Sequence, residues 1–95
     1  MLRTPGGDLR LVILEWLKDP QAHFPPQRRL DLCEDGVPAE AVAAKLGVDR
    51  AVADTHLRLL ADLGVLRSKR VRRRTCYRRD EFRIAEVARF FEKGW

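Results

Sequence analysis

The run Leu46–Arg79, LGVDRAVADTHLRLLADLGVLRSKRVRRRTCYRR, constrains the fold more than any other part of the chain. Its apolar residues change period partway along. Ala53, Leu57, Leu60 and in part Leu63 recur at helical spacing, whereas Val65, Leu66 and Ser68, and then Thr75 and Tyr77, carry the pattern of strands. Gly64 stands at the switch, where a residue free to take the left-handed conformation ends a helix. A second glycine, Gly47, closes a shorter segment that begins at Pro38, a residue suited to the first helical position because its missing amide proton would have no partner there. The apolar side of that segment is Ala41, Val42, Ala44 and Leu46. Asp49 is placed to cap the longer helix, expected from Arg50 to about Leu63. Short helix, glycine, brief turn and longer helix make helix-turn-helix spacing over residues 38–63, with a two-stranded hairpin, or wing, over 65–79.

Charge sharpens the reading. The whole chain carries a formal +5, a weak hint alone. Residues 67–79, however, hold eight basic side chains (Arg67, Lys69, Arg70, Arg72, Arg73, Arg74, Arg78 and Arg79) and no acidic one, so the rest of the chain sums to −3. Unpaired cations this close repel one another and raise the folding free energy unless a polyanion relieves them. A helix-turn-helix with a basic hairpin behind it therefore points to nucleic acid, double-stranded DNA first. The competing reading is a solvated basic surface, or one that docks an acidic protein partner.

Around this unit the chain reads as one domain, mainly α with a small β-hairpin: five helices plus a two-stranded wing. Residues 1–7, with Thr4, Pro5, Gly6 and Gly7, form a flexible lead-in. Asp8 is expected to cap a first helix over 9–18, where Leu9, Val12, Ile13, Trp16 and Leu17 make one stripe and Leu11 and Leu14 lie off it. Asp19-Pro20 ends it, because proline disfavours the helical conformation in the residue before it. QAHFPP then predicts an extended path with Phe24 plugging the edge of the core. A second helix is expected over Gln27–Glu34, with Cys33 as a small buried residue. Asp80 is expected to cap a last helix over 81–93, whose Ile84, Val87, Ala88, Phe91 and Trp95 recur at helical spacing beside Phe82 and Phe90. Both terminal helices carry more apolar surface than a small monomer hides. They are assigned to dimerisation, with Leu11, Leu14, Val87, Phe90 and Phe91 at the interface between two copies.

The run KLGVDRAVADTHLRLLADLGVLRSKR, followed by TCYRRDE, resembles the winged helix-turn-helix of the ArsR/SmtB family of bacterial transcriptional repressors. The matching residues are His56-Leu57-Arg58-Leu59-Leu60, Gly64-Val65-Leu66-Arg67-Ser68-Lys69-Arg70 and Tyr77-Arg78-Arg79-Asp80. Ile13-Leu14-Glu15-Trp16-Leu17 and the segment Asp19–Pro25 match more weakly. The resemblance implies a homodimeric repressor acting on a palindromic operator, with two recognition helices in successive major grooves. The DNA-binding residues it implies are Arg50, Ala51, Asp54, Thr55 and Arg58 on the recognition helix and Lys69, Arg70, Arg72, Arg73 and Arg74 on the wing. The chain departs from the family in three places. Arg50, Ala51, Val52 and Asp54 stand where many relatives have small polar or glutamine side chains, and Asp54 needs a cytosine amino group or an arginine to offset its repulsion by phosphate. The paired cysteines and the histidines of the metal-sensing members are missing. The wing tip has arginines in place of the usual glycine, which favours affinity over a tight turn.

Other functions find little support. Cys33 and Cys76 lack zinc or disulfide spacing, and His23 has no second ligand, so no metal or other cofactor is expected. No nucleophile, base and orienting group are spaced together, so no enzyme is expected. No apolar run approaches the roughly 18 residues of a membrane span, and charges interrupt any signal-peptide core, so the expected location is cytoplasmic. A small effector is implied by family analogy alone and remains unidentified. Cys33 with the partner's His23, or a Cys76 thiol made acidic by the arginines if exposed, are the candidate sensors.

Overall fold

The computed structural model describes residues 6–94, with side chains described over 9–89. Helix α1 (Gly6–Lys18) leads into a single turn, α2 (Pro20–His23), then strand β1 (Val37–Pro38) and helices α3 (Ala39–Leu46) and α4 (Arg50–Asp62). Strands β2 (Leu66–Val71) and β3 (Arg74–Arg79) form the wing, and α5 (Glu81–Gly94) closes the described chain. Helices with a three-stranded antiparallel sheet are compatible with a winged helix-turn-helix. Residues 1–5 of the expected lead-in lie outside the described residues. Because α1 begins at Gly6, Asp8 lies inside the helix and does not occupy its cap.

The second helix differs from expectation in place. Phe24 N–H donates to Pro20 O at 2.9 Å, so PQAH coils into α2 where an extended path was expected. Residues 27–34, expected to be helical, form turns. Asp31 Oδ1 accepts the amide protons of Cys33 and Glu34 at 2.8 and 2.9 Å, and Asp35 Oδ2 accepts that of Asp31 at 2.9 Å. Aspartate thus offers the backbone a local alternative to the helical ladder. Arg29, at φ 59, could not continue a right-handed helix. In consequence Leu32 is buried and Leu30 packs beside it, while Cys33 is exposed and not the small core residue expected.

The sheet has order β1-β3-β2, with Val37 opposite Tyr77 and Pro38 opposite Cys76. Two residues are too few to show an alternating pattern, so β1 had no sequence signature. Pro38 is tolerated because β1 is an edge strand, and it precedes α3 as its N-cap instead of opening the helix. In the hairpin Val71 pairs with Arg74, leaving Arg72 and Arg73 as a two-residue turn at φ 51 and 74. The arginine-tipped turn is therefore tight, contrary to expectation. Two left-handed residues give the turn whose twist suits antiparallel strands, though asparagine and glycine take that conformation at lower cost.

The core joins Ile13 and Leu17 of α1, Ala39, Val42 and Ala43 of α3, and Ala53, Leu57 and Leu60 of α4 to Val37, Leu66 and Tyr77 of the sheet. Phe24 plugs its edge as expected, meeting Trp16 edge-on with ring centroids 6.1 Å apart. Full burial of Leu57 is worth about 2 to 3 kcal/mol.

Candidate nucleic-acid interface

The turn into the recognition helix is set by backbone geometry. Gly47 takes φ 74 and its N–H closes α3 on Ala43 O and Ala44 O. Asp49 holds the N-cap position of α4 as expected, but it caps through its carbonyl, which accepts from Val52 and Ala53 at 3.0 and 3.1 Å, and its carboxylate makes no cap bond. With Ala53, Leu57 and Leu60 facing the core, Arg50, Ala51, Thr55 and Arg58 are exposed on the opposite side and Asp54 is half-buried at its margin. Thr55 donates its hydroxyl proton to Ala51 O at 3.0 Å, so its donor is satisfied within the helix. Asp54 Oδ2 lies 3.7 Å from Arg50 Nε, one of the two arginine pairings open to it. Arg10 Nη1 meets His56 Nδ1 at 3.2 Å, tying α1 to α4.

The wing's eight cations are not the unpaired field that their run suggests. Lys69 bridges to Asp35 at 2.9 Å, and Arg74 bridges to Glu40 at 2.9 Å and donates to Gln27 Oε1 at 2.8 Å. Arg67 pairs with Asp80 at 3.4 Å, and Arg79 pairs with Glu81 at 2.9 Å while donating to Leu14 O. Asp80 and Glu81 directly follow the basic run, whereas Asp35 and Glu40 each lie 34 residues from their partners, where no local pattern could have disclosed them. Arg70 reaches the Thr75 hydroxyl at 3.3 Å, and among the described residues Arg72, Arg73 and Arg78 have no protein partner. Four of the eight cations are thus neutralised, while Arg72 and Arg73 at the tip and Arg78 near the base keep their charge. Of the expected wing contacts, Arg70, Arg72 and Arg73 are available to a ligand, whereas Lys69 and Arg74 hold the hairpin to the body.

Helix and hairpin form two walls of one cleft of about 410 Å3, with Arg50, Asp54 and Arg58 on one side and Ser68, Thr75 and Tyr77 on the other. Burial and the nearby Asp54 charge push the Tyr77 hydroxyl above its ordinary pKa, so it stays a neutral donor in this wall. Cys76 is buried, and burial raises its thiol above the usual range despite Arg74. The acidic, exposed thiol envisaged from the arginine run is therefore absent.

Two fastening carboxyls titrate below their usual range. Asp35 is lowered first by the Asp31 N–H and then by Lys69. For Glu40 burial acts upward, but its own backbone N–H, the Arg74 hydrogen bond and the charges of Arg74 and Arg50 outweigh it. A carboxyl whose folded pKa lies below the unfolded one contributes stability above the unfolded value and loses it as pH falls through the folded value. Resistance to urea is accordingly expected to decline as pH drops past the ordinary values of 4.5 and 3.8 and to keep declining below them. Glu40→Gln should lower stability at neutral pH and make that decline shallower, as urea titrations of both proteins from neutral to acid pH would show.

The terminal helices divide differently from expectation. Leu11 is 65% exposed, but Leu14 packs on the core beside Ile13 and Leu17, and Val12 faces outward in its place. The buried arc of α1 centres between Ile13 and Leu17, which brings Leu14 to its edge and leaves Val12 off it. On α5, Asp80 caps as expected, its Oδ1 accepting Arg83 N–H at 3.0 Å. Val87 packs on the core with Ile84, and Phe82 is 78% exposed. Phe90 and Phe91 lie outside the described side chains.

A helix-turn-helix whose second helix shares a cleft with a basic hairpin defines the class of helix-turn-helix regulators. No family model matches the chain. It is similar to the uncharacterized HTH-type transcriptional regulator YbzH of Bacillus subtilis (strain 168), at 35% identity over 92 residues, covering 97% of this chain and 92% of the relative. The chain belongs to the HTH-type transcriptional regulators. Among the described residues no helix is long and apolar enough to cross a membrane, and no group of three or more His, Cys, Asp or Glu side chains could hold a metal ion.

Proposed function

We propose that the protein is a sequence-specific DNA-binding regulator of the ArsR/SmtB type, a homodimeric repressor acting on a palindromic operator in the cytoplasm. The observation that carries this reading is the shared cleft, in which exposed residues of α4 face the same opening as the hairpin with its unneutralised tip. In this reading Arg72, Arg73 and Arg78 meet phosphates, α4 enters the major groove, and neither catalysis nor a cofactor is involved. Two copies associate through Leu11, Val12 and Phe82, which are large apolar residues left exposed on the terminal helices among the described residues. Sedimentation should give a dimer, and Leu11→Glu with Phe82→Glu should shift it to monomer and weaken operator binding while each subunit stays folded. Footprinting at physiological salt across the promoter of its own gene tests the function, and protection no better than on random DNA would end the claim of specificity.

Exposed Val52 and Leu59 on α4 favour a second reading, a winged-helix module that docks a protein. Capture of partners from nuclease-treated lysate separates the two, since association mediated by nucleic acid would vanish there.

A further inference from the structure

Arg50, the first residue of α4, is held differently from the other cations of the cleft. Its Nε lies 3.7 Å from Asp54 Oδ2, one turn on in the same helix, and its Nη1 lies 3.9 Å from Glu40 Oε1 on α3. These separations exceed hydrogen-bond length, so the carboxylates steer the guanidinium by charge and leave its five donors uncommitted. The side chain remains 54% exposed. Glu40 is itself anchored by Arg74 at 2.9 Å, which ties this setting to the wing beside its turn. Its other oxygen, Oε1, is buried and accepts no hydrogen bond in the protein, so the side directed at Arg50 has no competing donor. Arg58 lines the same cleft without a salt bridge among the described residues.

Two carboxylates beside a DNA-facing surface reduce its attraction for phosphate, so a protein built only to grip the backbone gains nothing from them. They do gain something for base reading, because an arginine with few orientations loses less entropy on making two parallel hydrogen bonds. The base edge that matches such a fork is guanine, with its O6 and N7 acceptors in the major groove. We infer that Arg50 reads a guanine in each half-site, and that Asp54 and Glu40 are positioning residues for it. This rests on the DNA-reading function proposed above. It also gives Asp54 a role other than direct contact with a cytosine amino group.

Selection of bound sequences from a random DNA pool tests the assignment, followed by titration of the selected site and its single-base variants. The wild-type protein should demand G·C at one position of each half-site. Arg50→Lys should keep the salt dependence but reduce the discrimination at that position about tenfold or more, because lysine keeps the charge and loses the fork. Asp54→Ala should bind random DNA more tightly, having lost a negative charge, yet discriminate less at the same position. Combining it with Arg50→Lys should add little further loss. Arg72→Ala with Arg73→Ala should leave base preferences unchanged, and circular dichroism confirms the fold of each variant. If the wild type selects a site but Arg50→Lys retains every preference, or Asp54→Ala alters a different position, the assignment is wrong and the general function stands. If the wild type selects nothing, both fall.

Discussion

Replacing Arg72 and Arg73 with Asn and Gly is expected to raise stability and lower DNA affinity in the same molecule. Both arginines occupy positive φ, at 51 and 74, in a two-residue turn between Val71 and Arg74. A side chain bearing a β-carbon pays about 1 to 2 kcal/mol for the left-handed conformation, and Asn-Gly is the pair that suits such a turn. Part of the gain is offset by the flexibility of glycine in the unfolded chain, leaving a net stabilisation of about 1 kcal/mol. For a domain of this size that is a rise of roughly 4 to 8 °C in the unfolding midpoint. Neither arginine has a protein partner among the described residues, so no native ion pair is lost. Binding should respond in the opposite sense. Two fewer phosphate contacts per subunit should reduce the slope of log affinity against log salt by about 2 per subunit and weaken all sequences alike. Thermal unfolding and a fluorescence titration over a salt series read the two effects independently. A less stable variant would show that the tip was not strained, and one that binds as before would show that the tip does not touch DNA.

Retention of arginine at two positions that favour asparagine and glycine is itself informative. A turn selected for folding alone would have relieved the strain. The same holds for Asp54, a charge that opposes phosphate binding. Places where local chemistry works against stability or affinity are where function is expected, and here they are the tip of the wing and, at Asp54, the cleft between α4 and the wing.

How much of this was legible beforehand follows from how local each cause is. Burial of Ala53, Leu57 and Leu60 was readable because one helical period runs unbroken between Gly47 and Gly64, and both glycines have the positive φ their positions require. The hairpin was readable because strand-like residues flank a polar turn. Residues 27–34 misled because Leu30 and Cys33 have helical spacing, while the Asp31 and Asp35 carboxylates that win the backbone amides act over only two to four residues and leave no periodic mark. Cys33 is exposed and Leu32 buried as a result. The fastening of the wing was invisible for the opposite reason: Lys69 finds Asp35 and Arg74 finds Glu40 across 34 residues in each case. A count of charge along the run could not foresee these two distant cancellations. Leu14 and Val12 traded roles because seven of the nine residues from Leu9 to Leu17 are apolar, and only the neighbours decide which arc turns inward.

The second large effect is on the fold and concerns Gly36, which the sequence marks only as the end, with Asp35, of the second helix expected before it. Gly36 precedes β1 at φ 103, and a β-carbon there would come within 2.8 Å of the carbonyl carbon and oxygen of Tyr77 and 3.0 Å of its nitrogen. All three atoms are backbone of β3, so no side chain can swing aside. Gly36→Ala must push β1 away from β3, breaking the pairing of Val37 with Tyr77, two residues in the core. Backbone strain and overpacking each cost about 1 to 3 kcal/mol, and together they predict a loss of about 3 to 5 kcal/mol. Gly47→Ala is the matched control: its φ is 74, but nothing lies within 4 Å of the added carbon, so only the conformational cost of about 1 kcal/mol applies. Urea unfolding of both variants measures the difference, and equal losses would refute the close approach of Gly36 to β3. Because Lys69 is fastened to Asp35 and Arg74 to Glu40 on either side of β1, Gly36→Ala should also loosen the wing before the whole domain unfolds. Hydrogen exchange should then show faster opening of the β2–β3 amides than of the α4 amides, and DNA affinity should fall although every proposed contact residue is still present.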